Sequence, residues 1–251
     1  MKRELDSKFN NLVIHTKAQK ILSRILYNGN FIQLIQEKYR LPNNKIITRE
    51  KIVKNNNKDS VIIIAITPDN KLLLVAQNRV IGNASIEFPS GYIEEGETII
   101  EGAKRELQEE TGYVGTNFKI IDQYSPLVSI DNSTIFIVVA YNCEKKYPQN
   151  LSDNEYIKYE IFTYEEVEEL IDNNLINSGG TKLAFYKLTK RLLQNEIDNR
   201  NALLNQIYSE REEENKLRND VQKVYSDMYD QESRDIEKAV RYLKTLCSDK
   251  R

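Results

Sequence analysis

The sequence is poor in the residues that build disulfide frameworks and soft metal centres. Among 251 residues there are only two cysteines, Cys143 and Cys247, and one histidine, His15. Two distant cysteines give neither a disulfide framework nor the ligand spacing of a zinc site. They are typical of a reducing compartment, so we expect a cytoplasmic protein with inert thiols. His15 lies upstream of every recognisable motif, and we expect a structural or exposed side chain there.

Long apolar runs and a strong net charge are also missing. No stretch approaches the roughly 20 apolar residues that a membrane helix needs. The start of the chain, MKRELDSKFNN, lacks the apolar core of a signal peptide. The formal net charge of −2 provides no basic field for binding nucleic acid. These absences predict a globular protein with no membrane partner and no nucleic-acid partner.

The densest pattern in the chain is GYIEEGETIIEGAKRELQEETGY, residues 91–113. Residues 98–111 contain no proline and carry apolar residues at helical intervals, which predicts an amphipathic helix. These apolar residues are Ile99, Ile100, Ala103 and Leu107.

Three glutamates of this helix, Glu106, Glu109 and Glu110, are spaced to lie on one face within a turn of each other. Three carboxylates this close repel each other unless a hard cation lies between them. Mg²⁺ and Mn²⁺ prefer oxygen ligands, and Gly91 and Gly96 bracket a loop that lets the backbone approach such a cation. The pattern predicts a site for Mg²⁺ or Mn²⁺; the alternative is an ordinary solvated acidic helix.

The same pattern resembles the Nudix box, Gly-x5-Glu-x7-Arg-Glu-U-x-Glu-Glu-x-Gly-U, in which U is a bulky apolar residue. Tyr113 stands at the final U position, where the family prefers an aliphatic residue. The resemblance implies an α/β/α sandwich with a mixed sheet, in which Glu97 and Arg105 tie the loop to the helix. The matching residues are Gly91, Glu97, Arg105, Glu106, Leu107, Glu109, Glu110 and Gly112.

Shorter motifs resemble the ADP-ribose pyrophosphatase branch of the Nudix hydrolases, over about residues 20–193. In that branch the N-terminal strands help to build a homodimer, and the substrate lies near the subunit boundary. The motifs are YNGNF at 27–31, YRLPN at 39–43, TRE at 48–50, QNR at 77–79 and EFPSG at 87–91.

The resemblance implies Mg²⁺-dependent hydrolysis of a nucleoside diphosphate linked to another group; for ADP-ribose the products are AMP and ribose 5-phosphate. Glu106 and Glu110 are then the first metal ligands, with Glu109 as a further ligand and catalytic residue. The backbone carbonyl of Ser90 is carried over as another ligand, although the branch often has Ala there. The alternative function is a nucleotide-sensing module that signals to a partner through the C-terminal tail.

A general base is implied outside the box, because this branch usually places a glutamate on a loop after the central strands. LSDNEYIKY, residues 151–159, resembles that loop, and Glu155 is the best match. Asp153 and Glu160 remain alternatives, and so does a solvated loop carboxylate at Glu155.

Three further side chains are candidates for substrate binding. Arg49 and Arg79 carry guanidinium groups that match phosphate oxygens, although each could equally form a surface ion pair. Glu87 is a candidate acceptor for a substrate hydroxyl or amine, and its alternative is an ion pair with Arg79. Tyr124 and Pro126 lie where the branch often has a substrate loop, and a buried tyrosine is the alternative there.

Strand-like runs surround the box, and their turn signals predict a mixed sheet with helices on its faces. Asn28-Gly29-Asn30 predicts a hairpin between two of the N-terminal strands. The predicted strands begin at Lys20, Asn30, Lys45, Val61, Lys71, Phe118, Ser133 and Glu155, and the predicted later helices are residues 164–173 and 181–193.

The C-terminal tail is free of helix breakers, since no proline follows Pro148 and no glycine follows Gly180. We expect a Nudix domain in residues 1–194 and a helical tail in residues 195–251. The tail carries a heptad seam, and a further amphipathic helix is predicted over 236–247. Two alternatives stay open: a hairpin on its own domain, or a coiled coil that binds itself or a partner. The seam residues are Leu217, Val221, Val224 and Met228, with Leu203 and Ile207 less regularly upstream.

Overall fold

A computed structural model of the chain describes residues 18–54, 58–77, 84–153 and 155–248. His15 and Arg79 lie outside these residues. The chain divides into two compact units, residues 1–189 and residues 190–251. In the part that the structure describes, no helix combines the length and the apolar character needed to cross a membrane.

The described residues form twelve strands and three helices. The strands are β1 Gln19–Asn28, β2 Ile32–Arg40, β3 Ile46–Lys54, β4 Ser60–Ile66, β5 Leu72–Gln77, β6 Ser85–Glu87, β7 Ser90–Tyr92, β8 Tyr113–Val114, β9 Asn117–Tyr124, β10 Ile135–Tyr141, β11 Glu144–Lys145 and β12 Ile157–Phe162. The helices are α1 Ile99–Thr111, α2 Tyr164–Asp172 and α3 Gly179–Ser248.

A seven-stranded mixed sheet forms the centre of the first unit. Its strand order is β12-β5-β4-β10-β9, with β6 paired to β5 and β7 paired to β4. Strands β4 and β10 run parallel, and the other pairs are antiparallel. The predicted mixed sheet is therefore confirmed. A separate two-stranded ladder joins β8 and β11.

The sheet is covered on both faces, because the apolar residues of β4 alternate in direction. Val61 and Ile63 pack with Leu107 of α1. Ile62 and Ile64 belong to a second cluster, which reaches α2 and the first turns of α3. A strand that is buried on both faces reads as a continuous apolar run, and VIIIAI is such a run. The predicted α/β/α sandwich is confirmed.

Helix α1 has local signals at both ends. The Thr98 hydroxyl accepts from the Glu101 amide, and the Glu101 side chain accepts from the Thr98 amide, which forms a capping box. Gly112 ends the helix at φ 74°, in the left-handed region that favours glycine. These caps fix the position of the helix along the chain, and therefore the direction of its glutamates.

Strands β1, β2 and β3 form a separate three-stranded antiparallel sheet, which contains the predicted hairpin. Every residue of β1 is exposed. The end of β3 is tied to the segment before β10, because Lys54 lies 2.6 Å from the buried Asp131 carboxylate and the Ile52 amide donates to the Ile130 carbonyl. The sheet leaves large apolar side chains in solvent, among them Ile21, Leu22, Ile25, Leu26, Tyr27, Phe31, Ile32 and Ile46.

Helix α3 is a single helix of 70 residues. It includes the predicted helix of residues 181–193, the seam and the predicted helix of residues 236–247. The helix contains no turn between Gly179 and Ser248, so these residues do not form the helical hairpin that was one of the two alternatives.

Candidate active site

A cavity of about 820 Å³ opens in the first unit where β7 meets α1. Its walls come from the ends of β3, β4, β5, β6 and β9, from residues 150–152 and Glu155, and from the beginning of α3. Its charged lining residues are Glu87, Glu94, Glu106, Glu109, Glu110, Glu155, Lys54, Lys58 and Arg105. The three predicted box glutamates, Ser90, Glu87 and Glu155 therefore share one cavity.

Strand β7 and helix α1 approach each other closely at Ser90 and Gly91. The Ser90 amide donates to the Glu110 carboxylate at 3.0 Å. A Cβ at position 91 would overlap the Glu106 carboxylate and force that side chain to move, so glycine leaves room for this approach. The close contact places the Ser90 backbone and two box carboxylates side by side.

Arg105 connects the loop before α1 to the glutamates of the helix. Its Nε donates to Glu97 at 2.7 Å, and one Nη donates to both Glu106 and Glu109, each at 2.9 Å. The other Nη donates to the Tyr92 carbonyl at 2.7 Å. The pair of Glu97 and Arg105 that the family resemblance implies is present, and the guanidinium also balances two carboxylates.

Burial raises the pKa of two box carboxylates, whereas an ordinary ion pair would lower it. Burial raises the pKa of Glu110 to about 8, against the lowering effect of the Ser90 amide, and the nearby Glu106 and Glu155 charges add to the rise. Burial also raises the pKa of Glu106, although Arg105 opposes it. Proteins rarely bury carboxylates without a compensating cation, so these side chains favour a positive ligand.

This electrostatic strain predicts a pH-dependent stability in a chelating buffer. The folded-state pKa of Glu110 lies above the ordinary value of 4.5, so the unfolded state loses this proton first as the pH rises. The free energy of unfolding therefore falls between about pH 4.5 and about pH 8. Glu110→Gln still accepts the Ser90 hydrogen bond but cannot ionise. We expect it to raise the melting temperature at pH 8 by several degrees, since about 1 kcal/mol corresponds to about 2–4 °C.

The measurement is thermal unfolding in EDTA at pH 5 and pH 8. Near pH 5 the difference between Glu110→Gln and the wild type should almost vanish, because Glu110 is then largely protonated in the folded state. Glu168→Gln, on the exposed face of α2, is the matched control and should show no difference at either pH. An equal gain at both pH values would contradict the electrostatic cause.

Glu155 is held in the cavity wall by two hydrogen bonds to Ser152. The Ser152 amide donates to the Glu155 carboxylate at 3.0 Å, and the Glu155 amide donates back to the Ser152 carbonyl. The Glu155 charge acts on both Glu106 and Glu110. Neither alternative base lines the cavity: Asp153 is not among the lining residues, and Glu160 lies on β12 beside a different, smaller pocket.

The predicted substrate-binding residues are distributed unequally. Glu87 lines the cavity, and so does Tyr124, whose pKa is raised by burial and by the Glu87 charge. Arg49 lies on β3 of the three-stranded sheet, where it is exposed and donates to the carbonyl of its neighbour Thr48. Arg49 does not line the cavity of its own chain.

Several lining residues were not identified from the sequence. Thr181, at the start of α3, accepts from the Phe88 amide, so it fixes the strand end before Ser90. The Asn150 backbone amide donates a hydrogen bond to the Glu109 carbonyl. Lys54 forms a salt bridge with Asp131, and Lys58 forms one with Glu94. No spacing in the sequence signals these contacts, because they join segments that are far apart in the chain.

The donor set suits a hard divalent cation, since it consists of carboxylate and carbonyl oxygens. In the described ranges, no three Asp, Glu, His or Cys side chains already converge as a metal site. Arg105 holds Glu106 and Glu109, whereas the Ser90 amide holds Glu110. The residues fit Mg²⁺ or Mn²⁺ in chemistry, with a rearrangement of these hydrogen bonds.

Known proteins resemble this chain in sequence and fold. A NUDIX domain model matches residues 56–179. The ADP-ribose pyrophosphatase of Bacillus subtilis (strain 168) is 29% identical over 183 residues, which cover 71% of this chain and 96% of that protein. The methanol dehydrogenase activator of Bacillus methanolicus is 28% identical over 170 residues, covering 67% and 90%. A crystal structure of an ADP compounds hydrolase shares the fold, with a TM-score of 0.65, 20% identity and coverage of 71% and 96%.

Proposed function

The chain belongs to the Nudix hydrolase family, and from this premise we propose that it hydrolyses ADP-ribose, or a related nucleoside diphosphate sugar, in a Mg²⁺-dependent reaction. The products are a nucleoside monophosphate and a sugar phosphate. The observation that carries the proposal is the convergence of Ser90, the three box glutamates and Glu155 on one cavity. Its volume of about 820 Å³ lies in the range of small-molecule sites.

The charges of the cavity support a requirement for cations. Six glutamates line it, against the three cations Lys54, Lys58 and Arg105. Each of these cations is bonded to a carboxylate already. A diphosphate is itself anionic, so the wall repels it unless further positive charge is bound. Mn²⁺ is the alternative to Mg²⁺, since both take oxygen ligands.

Each box residue has a proposed part in holding the cation. Glu106 and Glu110 supply carboxylate ligands, Glu109 a further one, and Ser90 its backbone carbonyl. When bound, a divalent cation neutralises charge on the phosphate oxygens and makes a bound water more acidic. Gly91 lets β7 approach Glu106, which brings these oxygen donors together.

Glu155 is the proposed general base. Its carboxylate accepts a proton from water as the water oxygen bonds to one phosphorus, while the bridging P–O bond breaks and its electrons stay on the departing phosphate. The hydrogen bond from the Ser152 amide holds the carboxylate in place for this transfer. A positioned base typically contributes about 10²–10⁴-fold to the rate.

Substrate recognition is proposed for Glu87, Arg49 and Arg79. Glu87 lies in the cavity, where it can accept a hydrogen bond from a substrate hydroxyl or amine. Arg49 lies on the three-stranded sheet, so a role for its guanidinium requires a site shared between subunits. Arg79 stays a prediction from the QNR motif.

A homodimer through the three-stranded sheet would satisfy that requirement. The sheet exposes eight large apolar side chains, and exposed apolar patches of this kind mark interaction surfaces. We expect Ile25→Asp to weaken self-association at least tenfold, because it places a charge among apolar side chains. Sedimentation velocity over a concentration series measures the change.

The matched control for Ile25→Asp is Asn43→Asp, which adds the same single charge in the exposed turn after β2. This control should leave the association unchanged. Equal association for Ile25→Asp and the wild type would contradict the dimer through this sheet.

A cytoplasmic location also stays a proposal, based on the two cysteines and on the buried, unpaired Cys143.

The decisive experiment is hydrolysis of a substrate panel in ¹⁸O-labelled water, with products identified by mass. The panel contains ADP-ribose, other nucleoside diphosphate sugars, a dinucleotide and a nucleoside triphosphate, each with Mg²⁺, Mn²⁺ or EDTA. We expect AMP and ribose 5-phosphate from ADP-ribose, with the label in one of them and no products in EDTA. Absence of cleavage of every diphosphate with either cation would overturn the proposal.

A second candidate function is regulation of a partner enzyme through the helical tail. It is favoured by the likeness to a methanol dehydrogenase activator and by the length of α3. A sensor would bind ADP-ribose in calorimetry without cleaving it. The box carboxylates favour hydrolysis, because binding alone has no need of three such ligands.

A further inference from the structure

We propose that the tail forms a parallel, in-register coiled coil with a second copy of this chain over residues 203–228. The tail lies beyond the residues that match the NUDIX domain model, 56–179, so this inference does not depend on the proposed hydrolysis.

The proposed seam follows one heptad frame. Leu217, Val221, Val224 and Met228 are spaced 4, 3 and 4 residues apart, as core positions d, a, d and a. In the same frame Ile207 is an a position and Leu203 a d position. All six side chains are exposed, Leu217 at 64% and Met228 at 63%. Exposure of such an apolar stripe to water is unfavourable, and packing against a partner helix removes it from water.

The charges beside the seam select the orientation. One edge, at the g positions, is acidic and carries Glu213, Asp220 and Asp227. The other edge, at the e positions, carries Arg211 and Arg218. An antiparallel homodimer places like edges together, whereas a parallel homodimer places each g edge against the partner's e edge.

The parallel register produces specific pairs. A g residue faces the e residue five positions later on the other helix, so Glu213 faces Arg218, and Asp220 faces the hydroxyl-bearing Tyr225. Asp227 faces Glu232 at the last layer, where the seam ends. In a parallel dimer the two Glu213–Arg218 pairs are attractive and the two Asp227–Glu232 pairs are repulsive. An antiparallel dimer would instead place the acidic edge against the acidic edge of the other copy, so the charges favour the parallel arrangement.

Two seam layers are unfavourable to a tight dimer. Glu210 occupies a d position and Glu214 an a position, so each faces its own copy across the seam. Like charges there repel, so we expect a reversible association. The apolar seam residues on either side of Glu210 and Glu214 would form the contacts. Replacing both, Glu210→Leu with Glu214→Ile, should tighten self-association at least tenfold if the frame is right.

The test is disulfide crosslinking of the full-length chain. Cys143 and Cys247 are first replaced by Ser, and Val221→Cys or Ser226→Cys then provides one thiol. Parallel a positions lie within the roughly 4–7 Å Cα separation that a disulfide needs, whereas Ser226 occupies an f position on the far side of the helix. The f-position variant corrects for any proximity created by another interface.

We expect Val221→Cys to give a covalent dimer at least ten times faster than Ser226→Cys under mild oxidation. Equal rates, a monomeric chain, or a stable complex with a different protein instead would overturn the proposal. The Glu210→Leu, Glu214→Ile variant is measured by sedimentation velocity, and an unchanged dissociation constant would overturn the frame. Circular dichroism of each variant establishes that the helix content is retained.

Discussion

Glu110→Gln should lower kcat for ADP-ribose by about 10²–10³-fold at saturating Mg²⁺, because removing one charge-stabilising group typically costs about 3–4 kcal/mol of barrier. The fold should persist, since the amide oxygen of glutamine still accepts the Ser90 hydrogen bond. Glu106→Gln should lose activity similarly. Steady-state kinetics over a Mg²⁺ series measures the effect.

A control substitution and a stability measurement test whether the loss of activity is specific to Glu110. Glu168→Gln makes the same chemical change on the exposed face of α2 and should keep wild-type kcat. Glu110→Gln should simultaneously be more thermostable than the wild type in EDTA at pH 8, so lost activity cannot be attributed to unfolding. A wild-type rate for Glu110→Gln or Glu106→Gln at saturating Mg²⁺ would falsify the ligand assignment.

Glu155→Gln should lower kcat by about 10²–10⁴-fold while changing KM little, because a general base acts in the chemical step. The hydrogen bond with Ser152 should survive, since the glutamine oxygen still accepts from the Ser152 amide. Single-turnover kinetics with excess enzyme separates the chemical step from substrate binding and product release.

The two rival carboxylates provide the controls for this experiment. Asp153→Asn and Glu160→Gln lie close in sequence to Glu155 but do not line the cavity. Both should keep kcat within a small factor of wild type. If Glu155→Gln is active and either control is inactive, the base is misassigned by a few residues.

The sequence predicts local structure well where short-range signals determine it. Helix α1 follows from its apolar spacing and from the cap at Thr98, and β4 from its uninterrupted apolar run. The long helix α3 follows from the absence of proline and glycine after Gly180. Each of these elements is encoded by residues within a few turns of one another.

Long-range pairing explains what the sequence does not predict. Strand β7 has only three residues, and it exists because Ser90 and Tyr92 pair with Ile62 and Ser60. The contact between Phe88 and Thr181 spans 93 positions. No local pattern reports such contacts, so the short strands and the wall contributed by α3 were not predicted. Arg79 lies outside the described residues and remains a sequence-based prediction.

If Glu106 and Glu109 bind a metal as proposed, the hydrogen bonds of Arg105 make its binding an exchange between two kinds of cation. Its guanidinium donates to Glu106 and Glu109, so an incoming divalent ion has to take these carboxylates from a positive charge that belongs to the chain. A measured affinity for the metal would therefore be the difference between these two interactions. The rate of hydrolysis should then rise only above a certain concentration of free Mg²⁺. A substitution at position 105 that weakens the interaction with Glu106 and Glu109 should lower that concentration.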